Sequence, residues 1–131
     1  MQKWLQLVQT QVDGKTTGEN NFTSTDKLYL LSPAEVWQQG TSNTIDSDTA
    51  RDNTRQLDYY KNYENEDGSI GVTTNNYSGA IKQYNGSANW WWLRSASSAA
   101  TYSFYTVDNG GDWNLSNAGN TYGVAVAFRI G

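Results

Sequence analysis

Apolar positions come in short bursts separated by polar stretches, the pattern of a chain built from brief strands and few helices. The densest burst is Trp90-Trp91-Trp92-Leu93, followed at once by Arg94 and Ser95. In an extended segment Trp90 and Trp92 face one side and Trp91 the other. The run reads as a strand buried on at least one face, with Arg94 placed to anchor a carboxylate or backbone carbonyls. An aromatic platform for a ligand is the other reading of the same residues. A buried indole also wants a partner for its N–H.

Upstream, Leu5 and Leu7 alternate with Gln6, giving a short strand over 4–9 and a turn at Asp13-Gly14-Lys15. Residues 16–26 are polar and read as a loop, and 27–31 as a second strand. Ser32-Pro33-Ala34-Glu35 then supplies an N-cap, a proline start and a Glu at the third helical position, the signature of a capping box. This predicts a helix over 33–39 that stops at Gly40, with Val36 and Trp37 facing inward. A second helix is expected within 48–64, because Leu57, Tyr60 and Tyr63 recur every three residues. An acidic turn at 64–68 ends it. Residues 69–87 are weakly patterned, with a turn at Asn85-Gly86 feeding the tryptophan strand.

Beyond Trp90 the pattern predicts a strand over 104–107, a turn at 108–111 and a short return strand over 112–115. Residues 116–122 read as a loop, and 123–130 alternate cleanly. Val124, Val126, Phe128 and Ile130 share one face of that last strand. Ala125, Ala127 and Arg129 share the other, the small outward residues inviting something else to pack there. These elements make one α+β domain over 1–131, short antiparallel strands with about two helices.

Composition narrows the chemistry. The chain has no Cys and no His, which excludes a disulfide framework, a Cys or His metal site and a Ser–His or Cys–His pair. We expect no cofactor and no catalysis. The remaining acids for a carboxylate hydrolase, Asp108 and Asp112, flank a turn. Asp46, Asp48 and Asp52 lie in a polar stretch without EF-hand spacing, so it reads as a solvated loop rather than a calcium site. The net charge of −4 argues against nucleic acid and against anionic membrane surfaces. Neither a secretory signal nor a membrane-spanning run is expected, so no membrane insertion.

The C-terminal stretch from Trp90 is rich in Tyr, Ser, Asn and Gly, the chemistry of antibody binding surfaces. There Tyr102, Tyr105, Trp113 and Tyr122 would be rigid anchors. Asn114, Ser116, Asn117 and Asn120 would be adaptable polar contacts.

Trp91-Trp92-Leu93-Arg94-Ser95, Tyr105-Thr106-Val107 and Gly123-Val124-Ala125-Val126-Ala127-Phe128-Arg129-Ile130 together resemble a family of C-type-lectin-fold domains. Leu28 through Val36 resembles the strand-to-helix opening of the same domains. The likeness extends to the variable proteins of diversity-generating retroelements, in which reverse transcription that errs at adenines rewrites codons near the end of the gene. It implies a C-type lectin fold and a variable ligand-binding region at about 90–131. The face it implies comprises Tyr102, Ser103, Tyr105, Asp112, Asn114, Leu115, Ser116, Asn117, Asn120 and Tyr122, with Trp113 beside them. It further implies a non-catalytic receptor-binding or adhesion protein on a virion tail or fibre or a cell surface, with a protein or glycan ligand, and leaves oligomerisation open. The alternative is an undiversified lectin-fold module, structural or adhesive. Two departures stand out. Ala125-Val126 occupy the place where many relatives carry Arg-Pro. The cysteines of formylglycine-generating enzymes and the calcium loop and disulfides of animal lectins have no counterpart.

Overall fold

The computed structural model describes residues 8–12, 22–26, 28–38, 56–97, 100 and 102–128. The expected turn at Asp13, the helix stop at Gly40, the acidic loop over 41–53, and Arg129 and Ile130 lie outside them.

Antiparallel pairs dominate. β1 (Val8–Val12) pairs with β2 (Phe22–Asp26). β3 (Tyr29–Leu30) pairs with β9 (Val126–Ala127), and β4 (Lys82–Tyr84) with β5 (Ser87–Asn89). β6 (Trp91–Ala96), β7 (Ser103–Val107) and β8 (Trp113–Asn117) form a three-stranded sheet in that order. Among the described residues two short helices, α1 (Pro33–Val36) and α2 (Asp58–Lys61), complete an α+β architecture with a 3-10 turn at Ser78–Ala80. The loop expected over 16–26 is corrected in its last part: Phe22, Thr23 and Thr25 suit a pleated surface, and pairing with β1 takes up their backbone groups.

The Ser-Pro-Ala-Glu start behaves as its sequence dictates. Glu35 Oε2 accepts the Ser32 backbone N–H at 2.9 Å, and Pro33 opens the helix. α1 ends at Val36, earlier than expected, because Trp37 is already extended, φ −104° and ψ 149°. So short a helix needs tertiary support. Arg94 supplies it through an ion pair with Glu35 while also donating to the Leu30 carbonyl at 3.0 Å. The middle of the chain is tied to the same place. Gln56 Nε2 donates to the carbonyls of Val36 and Val72 at 2.9 and 2.7 Å, and the Leu57 N–H donates to the Glu35 carbonyl at 3.0 Å.

One core gathers side chains from β3, α1, α2, the 3-10 turn, β6, β7 and the segments beside them: Tyr29, Leu31, Val36, Trp37, Tyr60, Val72, Ala80, Trp91, Leu93, Tyr105 and Val107. Of the span expected to hold the second helix, residues 48–55 lie outside the described residues; within 56–64 there is one helical turn, Asp58–Lys61, with Tyr60 buried and Leu57 and Tyr63 packing against the core beside it. Burial pushes the Tyr60 hydroxyl far above its ordinary pKa, with Tyr59 and Glu35 adding to the effect. Gly79 permits a close approach, because a Cβ there would lie 2.6 Å from the Tyr63 ring.

The last strand reverses its expected orientation. Tyr29 is buried and faces Ala127 across the β3–β9 pair, so Ala125 and Ala127 pack on the core. Val124, Val126 and Phe128 point to solvent, 67%, 55% and 53% exposed. The physical reason is volume. Much of the core beside this pair is aromatic, and the small alanines pack against it. Regular pairing also shrinks to two residues.

Candidate functional site

The tryptophan run divides as its alternation predicts. Trp91 is 1% exposed, and its Nε1 donates to the Ala80 carbonyl at 3.1 Å. Trp90 and Trp92 lie on the opposite side, half-buried. Tyr122 reaches both: its ring stacks on Trp90 at 5.1 Å between centroids and meets Trp92 at 5.1 Å, tilted 46°. The backbone brings Tyr122 there, because the Gly123 N–H donates to the Trp90 carbonyl at 2.8 Å and the Trp92 N–H to the Gly123 carbonyl at 3.0 Å. The buried ring and the half-buried pair therefore lie on opposite sides of one extended run.

Beside this cluster opens a cavity of about 520 Å³, within the size range of small-ligand sites. The β4–β5 hairpin forms one wall through Lys82, Tyr84 and Asn89. Trp90, Thr121 and Tyr122 form the other. The ammonium of Lys82 lies 5.4, 5.6 and 5.5 Å from the ring centroids of Tyr59, Tyr60 and Trp91. Burial holds that ammonium below the usual lysine range.

The residues singled out from the sequence fall into three groups. Asn117, Asn120 and Tyr122 gather at one end of the β7–β8 hairpin with Tyr102 and Ser103. The Ala118 N–H donates to the Tyr102 carbonyl, and Tyr122 Oη accepts Ser116 Oγ and Asn120 Nδ2 at 3.4 Å each. Asp112, Trp113 and Asn114 lie at the other end, beside the turn. Tyr105 and Leu115 oppose each other between them. Tyr102, Asn114, Asn117 and Asn120 are exposed. Tyr105 must be corrected as a surface anchor: it is 0% exposed and belongs to the core. Its position in β7 puts it on the same sheet face as Val107. Ser103 and Ser116 are also buried, while Trp113 and Leu115 pack against the core.

The two turn acids hold backbone. Asp108 Oδ1 accepts the N–H groups of Gly110 and Asp112 at 2.8 and 3.0 Å, and Asp112 Oδ1 accepts the Trp113 N–H at 2.8 Å. Burial raises the Asp112 pKa, partly offset by that hydrogen bond. Among the described residues no group of three or more acids is placed to hold a metal ion, and no helix is long and apolar enough to cross a membrane.

Lys82, Tyr84 and Asn89 escape the sequence reading because their segment lacks periodicity. The signal that finds them is the Asn85-Gly86 turn: both residues have positive φ, 50° and 77°, as a two-residue type I′ hairpin requires. Counting outward from that turn places all three on one face.

The described residues thus define a small α+β domain with an aromatic-walled surface cavity. The chain belongs to the family described as "Domain of unknown function (DUF6273)", whose model matches residues 2–131. Neither a curated protein nor a solved structure matches it.

Proposed function

We propose that this chain is a non-catalytic ligand-binding module with a C-type-lectin-like fold, displayed on a virion or cell surface and diversified at its C-terminal end by a retroelement. The observation that supports it best lies within one hairpin. Tyr105, Thr106, Val107 and Ser116 are buried in β7 and β8, while Asn114 and Asn117 of the same hairpin are exposed. β7 is buried along most of its length, and the exposed positions of the hairpin lie on β8. Diversification falls on Tyr102, Asn114, Asn117 and Asn120, where new side chains meet solvent. The ligand is a protein or glycan on a target surface. The hydrogen bonds by which Asp108 and Asp112 brace a turn favour a structural role for these acids over catalysis.

The burial of Ser103, Tyr105 and Ser116 favours a second reading, an undiversified module of the same fold, since rewriting those positions disturbs the core. The DNA around the gene separates the two. Diversification requires a near-copy of the 3′ coding segment differing mainly at adenines, close to a reverse transcriptase gene. A 3′ segment that is invariant among isolates and has no such copy leaves the undiversified module.

A further inference from the structure

The β4–β5 hairpin lines the cavity with Lys82, Gln83, Tyr84 and Asn89, none of them in the C-terminal face. Lys82 and Asn89 are directly opposed across the pair, and Tyr84 lies two residues beyond Lys82. All three therefore share a face. The type I′ turn at Asn85 and Gly86 fixes that register. Across the cavity stand the half-buried Trp90 ring, steadied by its stack on Tyr122, and the exposed Thr121.

Lys82 is unusual in its surroundings. Three aromatic rings attract its ammonium through their negative faces. Among the described residues it has no carboxylate partner. A half-buried cation in a chain of net charge −4 is a place where an incoming anion gains attraction without displacing an internal one.

We propose that this cavity receives one acidic sugar residue, a uronic or sialic acid unit of a glycan. Its carboxylate lies at Lys82 Nζ, its apolar C–H face on the Trp90 ring, and its hydroxyls at Asn89 and Thr121. The inference rests on the reading of the chain as a binding module and not on diversification; of the C-terminal face it uses only Tyr122, the ring that steadies Trp90.

The chemistry favours this occupant over its nearest rival. The faces of aromatic rings carry negative charge density and attract the polarised C–H groups of a pyranose. One ammonium matches the single charge of a carboxylate. A phosphate monoester carries more charge and is best held by the forked donors of arginine, and no arginine lines the cavity. A wholly apolar ligand would leave Lys82 and Asn89 without a role.

Titrating the full chain with glucuronic acid, glucose and adenosine monophosphate, while following the Trp90 indole and Lys82 side-chain resonances, tests the assignment. Glucuronic acid is expected to bind at least about tenfold more tightly than glucose, and added salt should weaken it. Lys82→Gln should bring the two sugars to equal affinity. Tyr84→Ala and Asn89→Ala, both at exposed positions, should weaken both. The inference is overturned if glucuronic acid shifts no cavity resonance, if adenosine monophosphate is preferred, or if Lys82→Gln leaves the preference intact. Should Asn114→Ala or Asn117→Ala abolish a sugar binding that Lys82→Gln retains, the cavity assignment fails while the binding-module reading stands.

Discussion

Oε2 of Glu35 accepts both the Arg94 guanidinium and the Ser32 backbone N–H, so one buried oxygen closes the start of α1 and fastens it to β6. Both side chains are almost fully buried. Removing one member of such a pair leaves the other charge without compensation.

Glu35→Gln and Arg94→Met should each destabilise the fold by about 3–5 kcal/mol. The double variant should lose clearly less than the sum of the two. Urea unfolding of all four proteins measures the coupling, and strict additivity would show that the pair contributes nothing jointly.

Trp91→Ala should cost about 3–5 kcal/mol, the range for a large buried aromatic. Trp92→Ala should cost about 1–2 kcal/mol, because that ring is half in solvent and its contact with Tyr122 resembles an ordinary aromatic pair. Thermal unfolding of both variants checks the ordering. Equal losses would contradict the two-faced strand.

The same logic applies within the β7–β8 hairpin. Tyr105→Ala should lose about 3 kcal/mol or more, while Asn114→Ala and Asn117→Ala should stay within about 0.5 kcal/mol of the parent. A large loss at either asparagine, read from denaturant midpoints, would remove the distinction between frame and display.

Much of this division was legible in the sequence, and its failures have causes. The alternation at Trp90-Trp91-Trp92 and the Glu-terminated helix start follow from local geometry, while Arg94, expected to anchor a carboxylate or backbone carbonyls, holds one of each far away in sequence. The last strand misled because hydrophobicity alone assigns Val124, Val126 and Phe128 to the interior. Only the register against Tyr29 shows that alanines belong there. Tyr105 misled because loop-like composition surrounds a strand that is buried along most of its length. Residues 69–81 gave no period because side chains, rather than ladders, hold much of them. Asn65 Nδ2 donates to the Gly71 carbonyl at 2.9 Å, and Thr73 Oγ1 accepts the Asn76 N–H at 2.9 Å.

Asp67 belongs to that network. Its carboxylate accepts the hydroxyl and backbone N–H of Ser69 and the Asn76 amide, and these bonds hold its pKa below the ordinary 3.8. A carboxyl lowered in this way stabilises the fold above its unfolded pKa, and the contribution is lost as pH falls through the folded value. Ser69→Ala should therefore move the Asp67 pKa upward toward its ordinary value, and shift the acid unfolding limb to higher pH. Carboxyl resonances followed by NMR report the first change. An unmoved Asp67 would assign the lowering to Asn76 and the backbone instead.

The clasp between Gly123 and the tryptophan run also bears on how the chain is made. Together with the pairing of β3 to β9, it joins an early segment to a very late one. Contacts of such long sequence separation form slowly, since loop entropy must be lost before they reward it. While residues after 122 are still within the ribosome, neither pairing can form. Trp90 and Trp92 then lack the ring that covers them, and the partly made chain carries its stickiest surface in the open. Emergence of residues 122–127 from the ribosome is thus the step that covers this surface.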